Sequence, residues 1–272
     1  MGRVKLKNGL HLYIEEHGEG KPLLLIMGTG ADHTFWGAQI PVFARDFRVI
    51  AYDARGTGQS DTVPPPESCT MAAMADDAAA LLEALDCPAA HICGLSLGST
   101  VAQELALRHP ARVRSLLLHG TWGRSDEWFR RMIETLAAPI RTADDRVAFI
   151  RTALMWILSP AFLSAEGEPV RQLERAFLDS PHPPSRIGLL GHCHADVMHD
   201  ALDRLPGIAV PTLVTCGEQD VQVPERYGRA VAAAIPGARF HLFRGPNASH
   251  LACLEMADEF NRVCLEFLAA CP

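Results

Sequence analysis

The sequence lacks several features that mark whole classes of protein. No apolar run approaches the ~20 residues that a membrane-spanning helix needs. Residues 1–20 carry charges throughout and contain no apolar segment of the secretory type, so we expect no secretory signal there. Basic residues are not in excess, because 25 Lys and Arg stand against 32 Asp and Glu, a formal net charge of −7. This balance argues against nucleic acid or an anionic membrane as the main partner.

The eight cysteines lack the close, paired spacing of a disulfide framework or a zinc site. Several of them lie inside apolar patterns, so we expect buried, reduced thiols in a cytoplasmic protein. The cluster His192-Cys193-His194 with nearby His199 invites a metal interpretation, but no second group of ligands accompanies it. We therefore expect no metal, and we place this cluster on the surface or, as an alternative, against the substrate.

What the sequence does contain is a regular alternation of apolar runs and helical patterns. The turn signal Asn8-Gly9 predicts an initial hairpin. Further apolar runs are continuous, as in strands that are buried on both faces. The pattern favours an α/β protein with a mostly parallel, eight-stranded sheet and helices on both faces. The predicted strands are Val4–Leu6, Leu10–Glu16, Leu23–Met27, Phe47–Tyr52, Ala89–Cys93, Val113–Leu118, Thr212–Cys216 and Arg239–Phe243.

The predicted helices between these strands span Phe35–Arg45, a stretch from Thr70, a stretch before His109, Glu225–Ile235 and Glu255–Ala269. From residue 122 to residue 205 the alternation stops, and the pattern is helical with several prolines. We interpret residues 122–205 as a helical lid inserted into a core that consists of residues 1–121 and 206–272.

The stretch around Ser96 carries the clearest chemical signal. Gly94-Leu95-Ser96-Leu97-Gly98 is a G-x-S-x-G motif set directly between a predicted strand and a predicted helix. In that context the serine sits on a strained turn, and its hydroxyl stands clear at the end of the strand. Gly94 and Gly98 are suited to the turn because they lack a Cβ that would meet the neighbouring elements. Ser96 is therefore a candidate nucleophile.

A serine hydroxyl needs a neighbouring base and a third group that orients the base. In a strand-turn-helix arrangement of this kind, the acid and then the histidine follow the serine in loops after later strands. Asp220 comes after the strand Thr212–Cys216, and His250 comes after the last strand. Glu218 is an alternative acid, and Asp220 could instead only cap the next helix.

The chain resembles the α/β-hydrolase superfamily over essentially its whole length. Besides GLSLG, the stretch YDARGTGQSD is similar to the family's D-x-R-G-x-G-x-S-D loop. PTLVTCGEQDVQVP resembles the acid loop, and NASHLACLEMADEFNRVCLEFL resembles the histidine loop with the last helix. The resemblance implies that Ser96 is the nucleophile, Asp220 the acid and His250 the base, in an esterase- or lactonase-like branch without a cofactor.

The oxyanion hole of such an enzyme needs two backbone N–H groups. We expect one from Leu97 and one from the loop after Leu23–Met27, where the family commonly has His-Gly. This sequence has Met27-Gly28 instead, so Thr29 or Gly30 supplies the second donor, and we favour Thr29. Some ester- and lactone-cleaving members carry a similar Met-Gly pair. In the following glycine-rich loop, we expect Asp53, Arg55 and Asp61 to brace the backbone rather than bind substrate.

We predict a serine hydrolase that cleaves a carboxylic ester, lactone or thioester through an acyl-enzyme on Ser96. Carbon–carbon bond hydrolysis and cofactor-free perhydrolysis use the same residues and stay open, as does a non-catalytic small-molecule receptor on a hydrolase scaffold. A serine nucleophile argues against dehalogenase and epoxide hydrolase branches, which need a carboxylate. The expected partner is a small, largely apolar acyl substrate. Its candidate contacts are Trp36, Trp122, Trp128 and Met155.

The insertion also offers arginines, and a cavity that they line would indicate an anionic substrate instead. The arginines considered are Arg124, Arg130, Arg131 and Arg151.

Overall fold

The computed structural model describes residues 2–165 and 168–271. Its strands are β1 (Gly2–Lys5), β2 (His11–His17), β3 (Lys21–Ile26), β4 (Phe47–Tyr52), β5 (Ala90–Leu95), β6 (Val113–His119), β7 (Thr212–Gly217) and β8 (Arg239–Phe243). They form one sheet in the order β1-β2-β4-β3-β5-β6-β7-β8. Strand β2 pairs antiparallel with β1 and β4, and the pairs from β4 to β8 are parallel. The predicted mostly parallel, eight-stranded sheet is confirmed.

The helices cover both faces of this sheet. They are α1 (Ile40–Phe43), α2 (Met71–Ala84), α3 (Leu97–Arg108), α4 (Glu127–Ala143), α5 (Arg146–Ile157), α6 (Pro160–Ser164), α7 (Glu168–Leu178), α8 (Arg186–Met198), α9 (Glu225–Ala234), α10 (Ala252–Glu255) and α11 (Ala257–Ala269). Among these described helices, none is long and apolar enough to cross a membrane.

Both faces of the central strands are apolar, which explains their uninterrupted hydrophobic runs. Along β3, Leu24 and Ile26 pack into a core that includes α2, α3 and α9. The intervening Leu23 and Leu25 pack into a second core that includes α1 and α11. Since successive side chains of a strand point to opposite faces, one apolar run supplies both cores.

Two predicted helices are interrupted. The stretch Phe35–Arg45 contains a 3-10 turn followed by the short helix α1, because Gly37 is a poor helix former and Pro41 is tolerated only in a first helical turn. Within the predicted helix Glu255–Ala269, the continuous helix is α11, which begins only at Ala257. Met256, with φ −131°, leaves the helical conformation and separates α10 from α11.

Helices α4 to α8 lie between β6 and β7 in the sequence. Four of them begin at a side chain that accepts a hydrogen bond from the first turn: Asp126, Asp145, Ser159 and Ser185. These caps explain why the region divides into several helices and not one. The assignment of residues 122–205 as a separate lid on a core of residues 1–121 and 206–272 stays a prediction.

Candidate active site

Ser96 occupies the sharp turn between β5 and α3. Its φ of +55° is unusual for a non-glycine residue, and its N–H donates to the carbonyl oxygen of His119 at 2.9 Å. As predicted, both positions of the motif need glycine, because the neighbouring backbone leaves no room for a Cβ. An added Cβ on Gly98 would lie 2.1 Å from the carbonyl oxygen of Ile26, and one on Gly94 would lie 2.3 Å from that of Gly98. The backbone thus holds Ser96 at the carboxyl end of a central strand.

Asp220 and His250 meet although 30 residues separate them. Asp220 follows β7 and His250 follows β8, and parallel neighbours bring these loops to the same edge of the sheet. The Nδ1 of His250 lies 2.7 Å from Oδ2 of Asp220, and both side chains are buried. An Nδ1–H that donates to this carboxylate leaves Nε2 as an acceptor. Among the described residues, Nε2 of His250 is buried without a hydrogen-bond partner.

The contacts of Glu218 and Asp220 favour Asp220 as the partner of the histidine. Glu218 lies apart from the histidine: it accepts a hydrogen bond from Gly245 and pairs with Arg244 at 3.6 Å. The other oxygen of Asp220 accepts from the N–H of Val223 at 2.7 Å. This bond orders the loop before α9, so the carboxylate serves a turn and the histidine together.

Gly120 is a further part of the site that the sequence analysis did not identify. Its φ is +57°, and an added Cβ would lie 2.7 Å from Cε1 and 2.9 Å from Nδ1 of His250. The residue directly follows β6, so its backbone forms a wall against the imidazole. The only feature of the sequence that could have indicated Gly120 is its position, a glycine directly after a predicted buried strand.

His119, the last residue of β6, was also missed. Its Nε2 donates to the carbonyl oxygen of His250 at 3.1 Å, and its Nδ1 accepts from the hydroxyl of Thr215 at 2.8 Å. Burial, together with the proximity of His250, lowers the pKa of His119 to about 4. A neutral His119 therefore joins β7, the His250 loop and, through its own carbonyl oxygen, the Ser96 turn.

The loop after β3 lies against the nucleophile. An added Cβ on Gly28 would lie 3.1 Å from Cβ of Ser96. The N–H of Gly30 donates to Nδ1 of His192 at 3.2 Å, so this N–H is already engaged. Leu97 is the first residue of α3, where backbone N–H groups have no partner inside the helix. Because the N–H of Gly30 is engaged, Thr29 remains the favoured second donor beside Leu97, and the oxyanion hole stays a prediction.

A cavity of about 710 Å³ opens at this edge of the sheet, and Ser96 and His250 both border it. Apolar side chains of α4, α5 and α7 form much of the opposite wall: Leu136, Ile140, Phe149, Ile150, Leu154 and Phe177. The cavity has room for a small organic substrate. The segment between β6 and β7 supplies this part of its wall.

The four residues predicted to contact substrate lie elsewhere. Trp36 is completely buried in the core, and Trp122 is buried where its Nε1 donates to Ser125. Trp128 packs at the surface against other aromatic side chains. Met155 is 63% exposed, because α5 turns Phe149, Ile150 and Leu154 toward the cavity and the next residue away from it. The sequence predicted a helix here but did not determine its inward face.

The arginines considered at the sequence level do not border the cavity either. Arg124 pairs with Asp200 and Asp203, and Arg151 pairs with Glu174. Two other cations of the insertion, Arg146 and Arg186, are part of the wall. Burial lowers the pKa of Arg146, whose guanidinium donates to the carbonyl oxygen of Phe177. The cavity wall is therefore mainly apolar, and its charged groups are of both signs: Arg186, for example, lies 3.9 Å from Asp144, which also lines the cavity.

The glycine-rich loop is braced as predicted. Arg55 binds Asp77 through two hydrogen bonds of 2.6 and 2.7 Å. Asp53 accepts from the N–H groups of His33 and Gln59, and Asp61 accepts from the N–H of His11. Asp32, His33 and Asp53 bring potential ligand atoms within 4.8 Å of one another. The oxygens of Asp53 are nevertheless committed to backbone N–H groups, which favours a structural role for that cluster.

Most of the histidine cluster is buried, which corrects its predicted placement on the surface: His192, Cys193 and His199 are buried, and His194 is half-buried. Both ring nitrogens of His192 are engaged: Nδ1 accepts from Gly30, and Nε2 donates to the carbonyl oxygen of Arg55 at 2.8 Å. Burial lowers the pKa of His192 to about 4. His199 lies with Nε2 3.3 Å from the side-chain oxygen of Gln103. These contacts favour internal bracing over metal binding.

Comparisons with known proteins agree with this fold. The family model described as "alpha/beta hydrolase fold" matches residues 21–257. A relative from Azorhizobium caulinodans, named provisionally as a carbamate hydrolase, RutD, is 34% identical over 94% of each chain. A hydrolase structure from Pseudomonas aeruginosa is 33% identical, covers 99% of this chain and 98% of its own, and superposes with a TM-score of 0.89.

A further similar structure is the enol-lactonase from Burkholderia xenovorans. It is 29% identical, covers 98% of this chain and 99% of its own, and has a TM-score of 0.88. The similarity therefore extends through the sheet and through the helical segment between β6 and β7.

Proposed function

The chain belongs to the α/β-hydrolase family and is a hydrolase, and from this premise we propose that it cleaves a carboxylic ester, lactone or thioester through an acyl-enzyme on Ser96. The observation that supports the proposal most directly is the His250–Asp220 pair. One ring nitrogen is held by a buried carboxylate at 2.7 Å, and the other is free to accept a proton beside the cavity that Ser96 borders.

In the proposed reaction, Oγ of Ser96 attacks the substrate carbonyl while Nε2 of His250 takes up the hydroxyl proton. Asp220 keeps the imidazole in the tautomer with Nδ1–H and stabilises the imidazolium that forms. The N–H groups of Leu97 and Thr29 bind the negative oxygen of the tetrahedral intermediate. His250 then returns the proton to the leaving group, and a water activated by the same nitrogen releases the acyl group.

We propose that residues 122–205 act as a lid that selects the substrate. Helices α4, α5 and α7 contribute the apolar cavity wall, which suits an uncharged acyl group. The enol-lactonase and carbamate hydrolase names of two similar proteins support acyl compounds as substrates. Arg146 and Arg186 also line the cavity, the latter beside Asp144, and they make acyl chains with a distal carboxylate a second class to compare.

Active-site labelling tests the nucleophile. A fluorophosphonate should modify the wild-type protein and should not modify Ser96→Ala, because only an activated serine displaces fluoride at a useful rate. Ser180→Ala is a matched control, since Ser180 also borders the cavity, and it should be labelled as in the wild type. Labelling that persists in Ser96→Ala would rule out the proposed nucleophile.

Substrate class is tested with p-nitrophenyl esters of increasing chain length, lactones, acyl thioesters and carbamates. Turnover by the wild type and a loss of at least about 10³-fold in Ser96→Ala are expected. If no compound were hydrolysed while one of them raised the melting temperature, the receptor alternative would be favoured instead.

A further inference from the structure

We propose that Asp196 and His192 of α8 are positioning residues that hold the oxyanion loop in its reactive geometry, and we call this pair the α8 brace. The inference rests on the proposed function, because it concerns the loop that carries the oxyanion donor Thr29. It also explains how the oxyanion loop is held without the histidine that the family commonly has there. The loop carries Met27 where the family commonly has a histidine, and a methionine side chain has no donor with which to brace it.

His192 fixes the second half of the loop. The N–H of Gly30 donates to its Nδ1 at 3.2 Å, which requires the proton of the neutral ring to be on Nε2. That Nε2–H donates to the carbonyl oxygen of Arg55 at 2.8 Å. The ring is completely buried, and both of its nitrogens are used. His192 therefore connects the oxyanion loop to the glycine-rich loop after β4.

Asp196 holds Thr29, the residue that carries the proposed oxyanion donor, through its side chain. The hydroxyl of Thr29 donates to Oδ2 of Asp196 at 2.7 Å, and the carboxyl group is 1% exposed. The other oxygen, Oδ1, is buried without a hydrogen-bond partner among the described residues. Burial raises the pKa of Asp196 to about 8, so the group is largely neutral at pH 7. A neutral carboxyl can hold the hydroxyl without adding a full negative charge near the developing oxyanion.

The two residues can act together because they are one helical turn apart on α8. Side chains at i and i+4 lie on the same helix face, here the face toward the loop. The helix is itself fixed to its surroundings: an added Cβ on Gly188 would lie 2.1 Å from the carbonyl oxygen of Gly56. Ser125 also donates to the carbonyl oxygen of Asp196 at 2.6 Å. The brace therefore acts from a rigid support.

An oxyanion donor is effective only when it is aimed in advance at the charge that develops in the transition state. Without the bond to Asp196, the backbone of Thr29 keeps its N–H but loses the contact that orients it. We therefore expect a loss in kcat rather than a rise in KM, because the oxyanion contact strengthens in the transition state.

Three variants test the brace. Asp196→Leu and Thr29→Val each remove the side-chain hydrogen bond and keep the backbone N–H of Thr29. Each should lower kcat, and the rate constant of Ser96 labelling by a fluorophosphonate, by about 10-fold or more; removal of a whole oxyanion donor costs about 10²–10³-fold. Asp196→Asn keeps an acceptor for the hydroxyl and should stay within about threefold of the wild type. KM should change by less than about threefold in all three.

Thr62→Ala is the matched control. Thr62 contacts Ser185 at the other end of α8, 3.1 Å between the hydroxyl oxygens, and does not touch the oxyanion loop. Its labelling rate should equal that of the wild type. The double variant Thr29→Val/Asp196→Leu should lose no more than the worse single variant, since both remove one interaction.

The outcomes separate this inference from the proposed function. Wild-type rates in both Asp196→Leu and Thr29→Val, with Ser96 still labelled, would overturn the brace and leave the serine hydrolase proposal intact. Labelling that does not involve Ser96 in the wild type would overturn the proposed function. If Asp196→Leu does not fold, Thr29→Val decides, because it leaves the buried carboxyl and α8 unchanged.

Discussion

The imidazole of His250 has almost no freedom to rotate. It is 2% exposed, Asp220 holds its Nδ1, and Gly120 lies where any side chain would collide with the ring. His119 also holds the carbonyl oxygen of His250. The proposed base is thus oriented by contacts on three sides, and this predicts that small changes at Gly120 affect it.

Gly120→Ala should lower kcat by about 10-fold or more, because the new Cβ would lie 2.7 Å from Cε1 of His250 and must displace the ring. It should also reduce the free energy of unfolding by about 1 kcal/mol or more through its left-handed backbone. Steady-state hydrolysis and thermal unfolding measure the two effects.

Gly237→Ala separates these effects. Gly237 has a similar φ of +72°, but an added Cβ would have no atom within 4 Å. This control should lose stability while it keeps the wild-type kcat. Equal activity of the two alanine variants would contradict the role assigned to Gly120.

Sequence reasoning could single out Ser96, Asp220 and His250 as candidates because each follows a recognisable strand within a motif, and the structure brings Asp220 and His250 into contact. It could not identify His119 or Gly120, whose importance arises only when β6 lies beside the loops after β7 and β8. The four residues predicted to contact substrate do not line the cavity, for a related reason. Hydrophobicity does not show whether a large side chain faces the cavity or the core.

Among the elements, the strands were the most predictable. Their apolar runs are continuous, and most observed bounds differ from the predicted ones by one or two residues. Helices adjoining the loops were less predictable, because single residues such as Gly37 and Met256 interrupt a periodic pattern. The packing of α8 was hidden as well, since the polar cluster His192-Cys193-His194 suggested a surface position.

The docking of α8 should depend on pH through Asp196. Its folded pKa, raised to about 8 by burial, lies above the ~3.9 of an unfolded aspartate. Between these values the unfolded chain binds fewer protons, so this group's stabilising contribution is complete below pH ~4 and is lost as pH rises through ~8. Asp196→Asn removes this dependence.

The melting temperature of Asp196→Asn, relative to the wild type, should therefore increase by several degrees between pH 5 and pH 8.5. Thermal unfolding at a series of pH values measures the difference. Thr62→Ala serves again as the reference, because it should run parallel to the wild type. A constant difference between Asp196→Asn and the wild type would show that Asp196 is ionised in the folded protein.

Over the whole molecule, the eight cysteines are distributed through the buried interior as free thiols. Burial raises the pKa of Cys69, Cys216 and Cys253 to about 12, which disfavours the reactive thiolate. The expectation that the cysteines are buried is confirmed by this arrangement.

The native protein should therefore react slowly with an aromatic disulfide reagent, and all eight thiols should react once guanidinium unfolds it. Absorbance of the released thiolate measures both phases. A thiol that reacts within seconds under native conditions would contradict the burial of that cysteine and could be located by mass spectrometry.

The connection of α8 to the oxyanion loop has a consequence for protein engineering. The segment between β6 and β7 is the natural part to exchange when a different substrate preference is wanted, because it supplies the apolar cavity wall. A chimera that replaced the whole segment would also remove Asp196 and His192, and with them the support of Thr29. Exchanges that begin after Ser125 and end before Ser185 keep this support and still replace the apolar walls, so these two residues are the appropriate crossover points.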